Sequence, residues 1–183
     1  TFNGSGGDWS FTSNPAVEVA NNFTITNGTV TSTSHASGLI ISGNYSNSGT
    51  FTHNSGTVLM NATDSGNTLA GTLSGTSAFY NLTFNGSGGD WSFTSNPAVE
   101  VANDFTITTG TVTSTSNASW LIITGNYSNS GTFTNNSGLV KFNATDAGNT
   151  LAGTLSGTSK FYNLTFDGVS GAWSFTSNPS VEV

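Results

Sequence analysis

Gly28-Thr29-Val30, Leu39-Ile40-Ile41-Ser42-Gly43-Asn44-Tyr45, Gly49-Thr50-Phe51 and Val58-Leu59-Met60 follow one another in a stretch that carries two alternating marks. One is a short apolar start. It recurs at Val17, Leu39, Val58 and Phe79, at spacings of 22, 19 and 21, and then at Val99, Leu121, Val140, Phe161 and Val181. The other is glycine, one small or polar residue, then a large apolar one. It falls at Gly7-Asp8-Trp9, Gly28-Thr29-Val30, Gly49-Thr50-Phe51 and Gly71-Thr72-Leu73, and four more times from Gly89 to Gly153, with Gly171-Ala172-Trp173 last. Glycine at each corner is expected to supply a positive φ, and the apolar residue to open an inward-facing strand.

Between the marks the pattern has period two. Phe23, Ile25 and Val30 read as inward, and Thr24, Thr26 and Thr29 as outward. Trp9 and Phe11 alternate with Ser10 and Thr12. That is the signature of strands with one buried face, and no sustained helical period competes with it.

The fine period sits inside a longer one. Residues 1–82 recur as 83–164 with 71 of 82 identical, and a third copy runs over 165–183. The two copies test which way side chains point. Leu59 becomes Lys141 while Val58 and Met60 become Val140 and Phe142, so the middle position faces outward. Glu18 between Val17 and Val19 reads the same way.

Repeats of about 20 residues with corner glycines predict an all-β fold, a parallel β-helix or β-solenoid. Each rung holds two or three strands. Four rungs fill 1–82, four fill 83–164, and one fills 165–183, all in one continuous coil of about nine rungs stacked ~4.8 Å apart. The alternative is a tandem array of immunoglobulin-like sandwiches, since 82 residues suit about seven strands. The internal register and the one-rung tail favour the solenoid.

Phe79-Tyr80-Asn81-Leu82-Thr83-Phe84 and Leu39-Ile40-Ile41-Ser42-Gly43-Asn44-Tyr45 resemble the repeats of large bacterial surface and adhesin-like proteins. The resemblance spans the whole chain and rests on strand-and-turn motifs. It implies a right-handed parallel β-helix and an exported structural or adhesive role, with no specific ligand.

Composition narrows the function. With two Lys, no Arg and a net charge of −7, the chain lacks the cations that phosphate contacts need, which argues against nucleic-acid partners. No apolar run approaches a membrane span. Thirteen Phe, four Trp and four Tyr argue against disorder despite the Ser/Thr/Asn/Gly bias. That bias and the tandem copies favour an extracellular or cell-surface location. There is no cysteine, no initiator Met and no signal peptide, and the chain reads as a segment of a longer protein.

Candidate chemistry is sparse. Glu18, Glu100 and Glu182 read as solvated positions. Asp8 and Asp90 are replaced by Ala172 in the third copy, and Asp64 and Asp146 lie in predicted turns. Gly4-Ser5-Gly6-Gly7-Asp8 has the composition but not the spacing of a calcium-binding nonapeptide. His35 and His53 become Asn117 and Asn135, against a metal or acid–base role. Lys141 and Lys160 read as exposed lysines rather than crosslinking groups. Thr24-Ile25-Thr26 and Thr31-Ser32-Thr33 suggest an ice-binding ladder, but alignment of the rungs breaks it. Trp120, in place of Gly38, reads as an outward packing residue. The Asn-x-Ser/Thr triplets at Asn22, Asn44, Asn61 and Asn81 are expected from composition alone.

The sequence therefore predicts no catalytic, metal or cofactor-binding residues and no enzyme. The expected role is a structural rod segment of an extracellular fibre or adhesin that self-assembles head to tail. The alternative is a module that binds glycans or another cell.

Overall fold

A computed structural model describes all residues except 37, 96, 117 and 118. It is an all-β coil, 53% strand and 3% helical, with parallel strands stacked as a β-solenoid of about eight turns. The solenoid reading holds. Turns longer than 20 residues account for eight rather than nine.

Each turn has three faces. In the first complete turn these are Val17–Val19 and the two ends of Phe23–Thr31, a strand that passes a corner at Gly28 with φ +80°. Faces pair in parallel with the face one turn on, except that Thr50–Thr52 and Thr132–Thr134 pair only with the turn before and donate the Phe51 and Phe133 N–H to Ser77 and Ser159 Oγ in the next. The first face stacks Val17, Leu39, Val58, Leu82, Phe105, Tyr127, Leu151 and Phe175 in one column. The second stacks Phe23, Tyr45, Leu69 and Phe93, and the same face continues as Trp91, Val112 and Phe133. The third stacks Trp9, Val30 and Phe51, and later Leu73, Val99, Leu121, Val140 and Leu164.

Those columns correct the predicted register in the third turn. Leu82, not Phe79, lies on Val58, and Phe79 makes a lone bridge to Val101. The third turn carries an extra corner before Asn67–Gly71 and a 3₁₀ turn at Gly75–Ser77. Both add residues without adding an apolar mark, so even spacing fails there. One result is that Val99 stacks on Leu73 and not in the Val17 column. Counted along the columns, the chain passes eleven faces between Val17 and Val99. The 82-residue unit is thus close to four turns but measures three and two-thirds.

The core is a continuous column of aromatic and aliphatic side chains from Phe23 to Phe161. Phe23 lies over Tyr45 with ring centroids 5.6 Å apart, and the equivalent Phe105 and Tyr127 lie 5.8 Å apart, both stacked. Burial holds both phenol groups neutral well above their ordinary range. Trp91 is fully buried. Its indole packs against Gly89, in the loop that bulges between the paired positions Asn85 and Asp90, and against Gly110 in the next turn.

The glycine mark has two physical origins, only one of which was expected. Gly28 and Gly110 hold a positive φ. Gly49 and Gly131 do not. A Cβ there would run into the carbonyl oxygen of Gly28 or Gly110 in the turn below. Glycine is required where one turn's backbone touches the next. Gly131→Ala should accordingly lower stability by about 1–3 kcal/mol, the usual cost of overpacking against fixed atoms. An unchanged denaturation midpoint would count against this close approach.

Candidate functional site

Outward side chains of consecutive turns form polar ladders along the coil. The clearest starts at Asn22. Its Oδ1 accepts from the Asn44 backbone N–H at 2.9 Å and from Asn44 Nδ2 at 3.0 Å. Asn44 Oδ1 in turn accepts from the Thr68 N–H at 2.7 Å and from its hydroxyl at 2.9 Å. The second unit repeats this with Asp104, Asn126 and Thr150. The ladder explains the Asn22-to-Asp104 exchange. The first position uses only an acceptor oxygen, which a carboxylate supplies equally well. The second needs an amide that both donates and accepts.

The acidic residues are largely occupied in the same work. Glu100 Oε2 accepts from the Gly75 N–H at 2.7 Å, and Glu182 Oε2 from Gly157 at 3.0 Å, so each holds the 3₁₀ turn of the turn before it. These two were expected to be merely solvated. The Asp64 and Asp146 carboxylates close the corners in which they sit, accepting from Asn67 and Asn149 Nδ2 at 3.1 Å. Lys141 Nζ pairs with the Asp167 carboxylate, and Lys160 is exposed. Among the described residues no three His, Asp or Glu side chains come together as a metal set.

The histidine exchange has a local cause. His53 Nδ1 accepts the Ser55 N–H at 2.9 Å, and Asn135 Oδ1 accepts the Ser137 N–H at 3.1 Å. Either side chain closes the turn two residues on. The His53 ring also rests on Tyr80, with centroids 5.3 Å apart, and its burial lowers its pKa. Asn117, the counterpart of His35, lies outside the described residues.

The broken threonine ladder is confirmed at Thr24, which stacks on Ser46 and then Ala70. Thr33 is buried and donates to Asn14 Oδ1 at 2.7 Å, so it is no part of an outer face. A different hydroxyl array was missed. Thr29 and Thr31 stack on Thr50 and Thr52, and Thr111 and Thr113 on Thr132 and Thr134. Beside the latter, an open groove of about 480 Å³ crosses three turns past Gly89-Asp90, Gly110-Thr111 and Gly131-Thr132. A hollow of about 260 Å³ lies between His53, Glu100, Ile122 and Asn143. Its Glu100 carboxylate is already bonded to Gly75.

Trp120 is 47% exposed and paired with Leu139 in the next turn. Gly38 and Thr57 hold the corresponding places in the first unit, so two of the substitutions meet on one outer face. The sequon asparagines Asn44 and Asn81 are ladder members, with their amide nitrogens donating to Asn22 and Thr57.

No protein-family model, curated protein or solved structure matches this chain. Among the described residues no helix is long and apolar enough to cross a membrane.

Asn126→Asp would set two carboxylates against each other and remove a donor, and should cost about 1–3 kcal/mol. Asp104→Asn should stay within ~0.5 kcal/mol. Equal shifts in the unfolding midpoint would refute the assignment of roles. His53 has a folded pKa below its unfolded value, so its contribution is full above the unfolded pKa and is lost as pH falls through the folded one. Melting measured from pH 8 to pH 5 should show an acid-side loss that His53→Asn abolishes.

Proposed function

We propose that this chain is a rod segment of an extracellular fibre or cell-surface adhesin, and that it acts by stacking. The observation that carries the reading is the use made of the outer polar groups. Asn22, Asn44, Asp104, Asn126, Glu100 and Glu182 all bond to the turn above or below. These six polar side chains are committed to holding one turn on another. Each added turn covers the edge that the previous one leaves open. Extension is covalent, through further units, or by head-to-tail stacking of copies. Exported location and absence of enzymatic activity belong to the same proposal.

A second reading, a glycan- or cell-binding adhesin shaft, is favoured by the uncharged threonine pairs and the groove beside Asp90.

Electron microscopy and light scattering of the purified chain separate the two. The rod reading expects particles about 40 Å long, from eight turns ~4.8 Å apart, and longer filaments at higher concentration. Particles that never associate, together with a saturable signal on a glycan array, would replace it with the second reading.

A further inference from the structure

Val17, Val99 and Val181 are the same residue of three successive units, yet they lie on three different faces. Val17 pairs with Leu39 on the first face. Val99 pairs with Leu73 on the third, and Val181 pairs with Leu155 on the second. The aromatic columns agree. Phe23 and Tyr45 stack on the second face, and their equivalents Phe105 and Tyr127 on the first. Local contacts are nonetheless preserved. Phe2 pairs with Ile25 as Phe84 pairs with Ile107, and Asp8 with Thr29 as Asp90 with Thr111.

We infer that the unit repeats by a threefold screw, so that an array of units offers every unit-borne surface feature on all three sides of the rod in turn. The reason is arithmetic. Eleven faces on a three-faced coil leave each unit one face short of four full turns. Each unit is therefore turned by a third of a revolution and raised by about 18 Å, and the same azimuth returns after three units, about 53 Å along. A whole number of turns would instead line up every copy of a feature on one side. The interaction surface of such an array has no front or back. A partner that recognises one unit, whether a ligand or a neighbouring rod, meets it from any direction. This inference rests on the coil alone and holds whether the rod is structural or adhesive.

The exposed corner serines Ser13, Ser95 and Ser177 provide the test. Each stands at the same place in its unit. Ser13 lies between the third and first faces, Ser95 between the second and third, and Ser177 between the first and second. The chain has no cysteine, so pairwise Ser→Cys variants of the full chain take spin labels at two chosen sites only. The screw expects the 13–95 and 95–177 separations to be the diagonal of the ~18 Å axial rise and the width of the rod, and so to be clearly longer than ~18 Å. It also expects the 13–177 separation to fall well short of twice either. A 13–177 separation twice the others, with neighbours about 18 Å apart, places all three on one edge and overturns the inference. If a corner variant fails to fold, the exposed pair Thr52→Cys and Thr134→Cys reads the same neighbour separation.

Discussion

Parallel hydrogen bonding between successive turns fixes how close one layer of chain lies to the next, and the other features of the coil answer to that spacing. At Gly49 and Gly131 the carbonyl below stands where a Cβ would be. The same spacing lets Asn44 reach Asn22 below and Thr68 above with one side chain. It also brings Phe23 over Tyr45 in stacking contact. Glycine, asparagine and aromatic residues are thus three responses to one distance: backbone contact at the corner, amide ladders outside, ring stacks inside.

The differences between the two units are constrained by the same distance. Asn22 can become Asp104 because its place in the ladder only accepts. His53 can become Asn135 because either ring nitrogen or amide oxygen closes the turn. Leu59 can become Lys141 because that position faces out, where the ammonium finds Asp167. Gly38 to Trp120 accompanies Thr57 to Leu139 in the adjoining turn, and Met60 to Phe142 adds a ring stacked 5.4 Å from Phe166.

Much of this was legible in the residues. Alternation placed Phe23, Ile25 and Val30 inside, and the corner marks gave the coil. Register in the third turn was not legible, because the corner before Asn67 and the 3₁₀ turn at Gly75–Ser77 lengthen the path without leaving an apolar mark. A uniform period therefore assigned Phe79 the place that Leu82 holds. The ladders were hidden for another reason. In a chain so rich in Asn, Ser and Thr, composition does not reveal which asparagine is stacked. The available signal was the spacing of Asn22, Asn44 and Thr68, which returns as Asp104, Asn126 and Thr150.

Because the turn-to-turn hydrogen bonds point along the axis of the coil, a pull on its two ends loads them one layer after another rather than all together. Such a coil peels. Each layer that lets go frees roughly 22 residues, which extend to about 75 Å of slack chain. The neighbouring layer remains a template on which that chain can wind back. Under tension the molecule would behave as a shock absorber, lengthening in small reversible steps.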